Sequence, residues 1–179
     1  MLIFRKATKS DIDSIEKIYS DIHTCEEKGE VTIGWVRGVY PVREVAEKAL
    51  LRGDLFVGEE NGKVIGSAII NQEQVDVYSE GMWQYDAPEN EVMVLHTLTI
   101  SPAETKRGYG KSFVKFYEQY AYKRNCPYLR IDTNERNLGA RALYKKLGYA
   151  EIGIVPCVFN GIKNVKMVLL EKKVRMILS

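Results

Sequence analysis

The stretch Leu95-His96-Thr97-Leu98-Thr99-Ile100-Ser101-Pro102-Ala103-Glu104-Thr105-Lys106-Arg107-Gly108-Tyr109-Gly110-Lys111-Ser112 leads from a strand pattern through a turn with two glycines into a helix. Glu91 to Ile100 is rich in β-forming residues and reads as the strand. From Gly108 to about Asn125, Phe113, Val114, Phe116, Tyr117 and Tyr120 fall on one broad helical face. Gly108 and Gly110 let main-chain N–H groups approach a ligand closely, and a helix N-terminus offers unpaired donors with partial positive charge. Lys106, Arg107 and Lys111 crowd that terminus, where each cation opposes the macrodipole by about 0.3–1 kcal/mol. A bound anion offsets that penalty, and a pyrophosphate suits the geometry. A solvated basic turn is the plainer reading of the same residues. Gly110-Lys111-Ser112 lacks the earlier glycine of a phosphate-binding P-loop, and the third glycine of a dinucleotide fingerprint is absent.

Working outward, Leu2 to Lys6 reads as a short strand, and Ser10 as the cap of a helix carrying Ile12, Ile15, Ile18, Tyr19 and Ile22. Cys25 to Tyr40, with three glycines, reads as loop. Pro41 opens a second helix to about Leu51. Leu55–Gly58 and Lys63–Ile70 pair around Asn61-Gly62, a hairpin signal. Residues 73–90 are acidic and aromatic and read as a long surface loop. Tyr128–Thr133 is a strand, Leu138–Leu147 a helix ended by Gly148, and Ile152–Phe159 pairs with Val165–Leu170 around Asn160-Gly161. The order βααβββαβαββ predicts one α/β domain over residues 1–179, a mixed, mostly antiparallel sheet flanked by about four helices.

Composition bounds the function. The 179 residues are 45% hydrophobic and 28% charged, as in ordinary globular chains. The longest uncharged run, Val92 to Ala103, falls well short of the ~20 residues that span a bilayer. No secretory signal is expected from the short apolar run at the start. Cys25, Cys126 and Cys157 are scattered and only two histidines occur. A disulfide framework and a metal site are therefore not expected, and a reducing cytoplasm is. The net charge of +2 is segregated: residues 64–105 hold 7 acids and no Lys or Arg, while residues 106–179 hold 16 Lys and Arg against 5 acids. Such segregation points to an anionic and a cationic ligand group, or to mutual neutralisation across the fold.

Arg107-Gly108-Tyr109-Gly110 after a strand, followed by Asn137-Leu138-Gly139-Ala140-Arg141-Ala142-Leu143-Tyr144-Lys145-Lys146-Leu147-Gly148-Tyr149, resembles the GCN5-related N-acetyltransferase (GNAT) family. Phe4-Arg5-Lys6-Ala7-Thr8-Lys9-Ser10-Asp11 resembles the way these domains begin, so the resemblance covers nearly the whole chain. It implies acetyl-CoA as co-substrate, its pantetheine arm along Leu98, Thr99 and Ile100. Its pyrophosphate would rest on N–H groups from about Lys106 to Ser112, which takes in Arg107, Gly108, Tyr109, Gly110 and Lys111. Thr105 stands where the family usually carries Gln or Arg, with Lys106 or Arg107 as substitutes. Tyr144 matches the family tyrosine near the sulfur, a general acid for the departing thiolate, and Asn137 matches an asparagine that contacts the cofactor. Without the resemblance, Tyr144 reads as helix packing and Asn137 as an N-cap. His96 is the implied base, as in arylalkylamine N-acetyltransferases, which resemble this stretch. Glu91 is the rival base and ordered water a third option. A buried strand histidine is the plainer reading of His96.

The implied reaction is direct attack of a primary amine on the thioester in a ternary complex, with a backbone N–H near Leu98 holding the developing oxyanion. The acidic segment points to a cationic acceptor such as a polyamine, an aminoglycoside, a lysine side chain or a peptide N-terminus. Trp35, Tyr40 and the loop around them are expected to form the other wall of its cleft. A non-catalytic acyl-CoA sensor on the same fold is the alternative. Nucleic-acid binding through the basic C-terminal segment is a third reading, without a supporting motif. No nucleic-acid or membrane partner is expected, and the late strand pair offers an edge for a homodimer.

Overall fold

The computed structural model describes residues 1–174; the last five residues of the expected 1–179 domain lie outside them. Seven strands form one sheet: β1 (Leu2–Lys6), β2 (Leu55–Glu60), β3 (Lys63–Asn71), β4 (Val92–Ile100), β5 (Tyr128–Asn134), β6 (Ala150–Phe159) and β7 (Ile162–Lys173). Among the described residues four α-helices accompany them: α1 (Ile12–Glu27), α2 (Arg43–Arg52), α3 (Tyr109–Lys123) and α4 (Leu138–Lys146). The spatial order is β1-β2-β3-β4-β5-β7-β6. Every neighbouring pair is antiparallel except β4 and β5. Both Asn-Gly pairs turn hairpins as expected, with positive φ at Asn61, Gly62, Asn160 and Gly161, the primed geometry that matches strand twist.

The two faces bury different sequence patterns. α3 and α4 cover Ala68, Met93, Leu95, Ile131 and Leu170 through Phe113, Tyr117, Leu143 and Tyr144. On the other face, Ile12, Ile15 and Tyr19 of α1 and Ala46 and Ala49 of α2 pack on Leu55, Val57 and Ile69. Tyr117 of α3 is fully buried, and its hydroxyl donates to the carbonyls of Met93 at 2.6 Å and Arg130 at 3.3 Å. One side chain thus clamps the parallel pair from beneath.

Several expected boundaries move. The first helix is not capped by Ser10. Thr8 and Asp11 form a reciprocal capping box around a short 3-10 turn, and Asp11 also takes both guanidinium Nη atoms of Arg5 at 2.8 and 2.9 Å. Cys25 is not in loop, because α1 runs on to Glu27. Pro41 does not open α2; it is followed by an extended N-cap, Val42, and α2 begins at Arg43.

The largest correction concerns residues 73–90. They contain the 3-10 turn Asp76–Glu80, lead into a second at Glu89–Glu91, and turn their aromatic side chains inward. Val77 and Tyr78 are buried against Val94, Ile152 and Leu169. Trp83 donates its indole N–H to the Tyr78 carbonyl at 2.8 Å and lies under the Arg130 guanidinium, 4.0 Å from the ring centroid. Glu171, itself buried, accepts the N–H of Gln84. The segment is a second core layer, and its acids are what it leaves outside.

Burial costs the Asp11 carboxylate less than Arg5 and the Thr8 donors return, so its pKa is held down to about 2. A depressed carboxyl stabilises the fold above the ordinary carboxylate range and loses that contribution as pH falls from about 4 towards 2. Asp11→Ala should lower the unfolding free energy by about 1–3 kcal/mol at pH 7. Urea titrations should show the gap to wild type closing near pH 2.

Candidate active site

β4 and β5 are hydrogen-bonded only from Val92↔Tyr128 to Leu95↔Ile131. Beyond that point β4 follows β3 and β5 follows β7, so the two strands part. The β3–β4 register slips by one residue between Ser67↔Thr99 and Ile69↔His96, and Thr97 there has φ of +47°. This is a bulge, an extra residue that re-aims the side chains on either side of it.

A cavity of about 670 Å3 fills the fork, lined by Leu98, Thr99 and Ile100 on one arm and Asp132, Thr133 and Asn134 on the other. The start of α3 forms one end. Lys106 and Gly108 are left-handed, at φ of +63° and +81°, and bend the chain so that the helix aims its first turn at the cavity. The first intrahelical bond runs from Ser112 N–H to the Gly108 carbonyl at 3.0 Å, which leaves the N–H groups of Tyr109, Gly110 and Lys111 without an intrahelical partner. A Cβ on Gly108 would meet nothing within 4 Å, so the glycine serves its backbone angle while the approach stays open.

Residues 31–40 close the cavity from the other side. The Glu26 carboxylate accepts the N–H groups of Ile33 at 2.7 Å and Gly34 at 3.0 Å, and the Thr32 hydroxyl donates to the Arg136 carbonyl at 2.8 Å. Gly34, at φ of +85°, sits so close that a Cβ would lie 2.4 Å from the Asn134 amide nitrogen. Trp35 and Tyr40 line the cavity edge to face, and the Tyr40 hydroxyl is hydrogen-bonded to that of Thr97.

A second chamber of about 230 Å3 lies on the α2 side and shares Tyr40, Thr97, Asp132 and Phe159 with the first. Asp132 therefore stands at the waist between the two. Burial pushes its carboxyl up to about 6, although the Tyr78 hydroxyl, donating at 2.7 Å, pulls the other way. Tyr144 lines the large cavity from α4 and is only 5% exposed. Burial raises its phenol well above the usual value, with the Asp132 charge adding to the effect. It is therefore a proton donor at neutral pH, and among the described residues its hydroxyl has no hydrogen-bond partner.

Of the expected cofactor residues, Leu98, Thr99, Ile100, Lys106, Gly108, Tyr109, Gly110, Lys111, Asn137 and Tyr144 line the large cavity. Asn137 also caps α4, accepting the Ala140 N–H at 3.2 Å. Arg107 does not line it: its guanidinium is held by Glu104 at 2.6 Å and Glu60 at 3.1 Å. Ser112 does not either, its N–H being spent inside the helix. Lys106 and Lys111 have no ion pair among the described residues and remain free for an anion.

Neither expected base lines the large cavity. His96 lies on the far side of the Thr97 bulge, in the second chamber, with Nε2 2.9 Å from the Asn71 Oδ1. Burial pulls it down to about 4, so it is neutral and weakly basic. Glu91 ends a 3-10 turn at the opposite end of β4, about 20 Å from Thr97 at the rise of an extended strand, and lines neither cavity. The group the sequence did not reveal is Asp132. Its position two residues after Arg130, on the same face of β5, was the available signal.

The model of the Acetyltransferase (GNAT) family matches residues 12–149. The chain belongs to this family. The expected resemblance and the α/β architecture are thereby borne out. A Methanocaldococcus jannaschii protein described as an uncharacterized N-acetyltransferase is 25% identical over 167 residues, covering 90% of this chain and 66% of its own. The chain thus spans slightly less than two thirds of that relative. A GNAT-family acetyltransferase of Streptococcus agalactiae has a TM-score of 0.80 and 25% identity over 97% of this chain and 96% of its own. A Salmonella typhimurium protein solved with acetyl-CoA shares the fold, with a TM-score of 0.67 and 17% identity over 100% of this chain and 97% of its own.

In this GNAT chain, a folded Asp132 near 6 binds a proton between about pH 4 and 6 that the unfolded chain releases, so stability falls as pH rises through that window. Asp132→Asn removes the buried charge while keeping an acceptor for Tyr78. The variant should be more stable than wild type by about 1–3 kcal/mol at pH 8 and indistinguishable from it at pH 4. Urea midpoints at the two pH values check this, and destabilisation at pH 8 would contradict the burial argument.

Proposed function

We propose that this protein transfers an acetyl group from acetyl-CoA to a primary amine by direct attack in a ternary complex. The observation that carries the proposal is the meeting of two chambers at one waist. One holds a helix N-terminus and free lysines suited to a pyrophosphate; the other opens separately to solvent beside α2.

Acetyl-CoA, when bound, supplies an activated acyl group on a thioester. The residues present fit it: three N–H groups of α3, Lys106 and Lys111 for the phosphates, and the free edge of Leu98 to Ile100 for an amide-bearing arm. Backbone donors do this work without a side chain at Thr105, whose hydroxyl turns back to the Pro102 carbonyl at 3.2 Å. Trp35 and the strapped 31–40 segment exclude water, which strengthens the electrostatic contacts inside. Tyr144, neutral and unpartnered, donates its proton or a hydrogen bond towards the sulfur side of the reaction. The acceptor amine approaches through the second chamber, so donor and acceptor reach the waist from different directions and are present together. The cytoplasm, a single domain over the chain and a homodimer through the late strand pair remain part of this reading as expectations of the sequence.

Thiol release on a panel of amines, with calorimetry of acetyl-CoA alone, tests the proposal. Turnover with at least one primary amine supports it, and coenzyme binding without turnover on any amine favours a sensor instead. Tyr144→Phe should lower kcat about tenfold or more and leave the KM for acetyl-CoA within about twofold. Lys106→Ala and Lys111→Ala should each weaken acetyl-CoA about fivefold, roughly 1 kcal/mol, with a flatter salt dependence. Arg107→Ala, whose cation is already neutralised, should change affinity by less than about twofold. Equal losses at all three positions would undo the assignment of the phosphate site.

A further inference from the structure

We infer that the Asp132 carboxylate is the catalytic base that takes the proton from the acceptor amine, and that Tyr78 is a positioning residue that aims this carboxylate at the waist between the two chambers. The inference rests on the proposed acetyl transfer and deepens it. Asp132 is a carboxylate shared by both chambers. It lies one residue past the last β4–β5 pair, on a β5 that stays bonded to β7 through Asp132↔Leu169, so it sits at the apex of the fork that both chambers share. Oδ2 accepts from Tyr78 at 2.7 Å, a single bond that fixes the carboxylate while its other oxygen is not engaged in any hydrogen bond among the described residues.

Tyr78 is itself held firmly. Its carbonyl takes the Trp83 indole, Trp83 stacks under Arg130, and Arg130 sits two residues before Asp132 on the same strand face. Strand, tyrosine, tryptophan and arginine form a closed ring, so the carboxylate has little freedom to swing. The groups facing Asp132 are Tyr78, Tyr40 and Tyr144, all raised by burial, and the Cys157 thiol, also raised. Across the second chamber lie neutral His96, Lys48, Glu73, and Arg52, the last paired with Asp54 at 2.9 Å. None of these both reaches the waist and is an available base near neutral pH.

In the step, an ammonium proton passes to Asp132. The freed nitrogen lone pair forms the N–C bond, the C–S bond breaks, the sulfur leaves with its electron pair and takes a proton from Tyr144, and the new amide nitrogen gives up its second proton to solvent. Solvent later removes the proton from Asp132 and restores that of Tyr144. No oxidant or further co-reactant is required.

The test uses the full chain, acetyl-CoA and whichever amine the panel finds, over pH 5–9. Asp132→Asn should lower kcat by 10²–10³-fold, in the usual range for losing a general base, with acetyl-CoA affinity within about twofold. Tyr78→Phe removes a bond that favours the charged carboxylate. The acid limb of kcat/KM should then move up from about pH 6 by half a unit or more, with activity largely recovered at pH 9. A merely structural loss would lower activity equally at every pH. Retention of more than a tenth of wild-type kcat by Asp132→Asn, or an unmoved acid limb in Tyr78→Phe, overturns the inference. Absence of turnover by wild type on every amine is a different failure, because it removes the transfer reaction itself.

Discussion

The parting of β4 from β5 after Leu95 and Ile131 is the constraint on which the rest of the site depends. A parallel pair needs a crossover, and α3 provides it. The crossover places a helix N-terminus at the mouth of the fork that the strands open. Tyr117 reinforces the pair from below by bonding carbonyls on both strands, so the fork has a fixed apex. Each arm then keeps an antiparallel partner on its outer side, which satisfies the outer backbone groups and leaves the inner edge available. A cavity formed this way needs no flexible lid to exist. It is built from main chain, and its side chains can vary without loss of the opening.

Charge is distributed to suit this frame, though not as segregation along the chain first indicates. Of the acids of residues 73–90, Glu73 alone lines the second chamber. The segment is anchored by its aromatics, through Tyr78, Trp83 and Tyr85, and by Arg130 and Glu171. What it contributes to the site is the Tyr78 hydroxyl at the waist, with Glu73 and Val75 on the wall of the second chamber. On the basic side, Arg107 is neutralised by Glu104 and Glu60, whereas Lys106 and Lys111 are not. Counting cations around the turn therefore overstates the field there, and knowing which of them are already paired corrects it.

Much of the fold was legible because local signals agree with the final packing. Asn61-Gly62 and Asn160-Gly161 demand primed turns, and the helical stripe of Phe113, Val114 and Tyr117 needs a core to cover. The helix boundaries were less legible. Thr8, Ser10 and Asp11 are all cap formers, and only the Arg5 contact selects Asp11 as the partner of Thr8. His96 lies in the second chamber for a specific reason. Counting two residues back from Leu98 assumes regular alternation, and the bulge at Thr97 inserts one residue and turns His96 to the other chamber. Tyr144 and Asn137 were singled out by the resemblance of the 137–149 stretch, and the structure sets both on the large cavity, with Asn137 also capping α4. Asp132 was missed because its environment is assembled from β5, the waist and Tyr78, 54 residues away.

Asp132 also shows why the anchored segment is placed where it is. A carboxylate beside Tyr40, Tyr144 and Phe159 is poorly solvated, and its raised pKa records that cost. Left alone, such a group would stay protonated over more of the neutral range or rotate towards water. The Tyr78 hydroxyl partly offsets the desolvation, but a phenol can do so only if its own ring is buried and its backbone is fixed. Val77, Trp83 and Arg130 meet both requirements. The second core layer therefore stabilises the molecule and sets the ionisation of a single group at the waist. A loop tethered only at its ends could cover the same sheet surface, yet it could not hold a hydroxyl at 2.7 Å from one carboxylate oxygen.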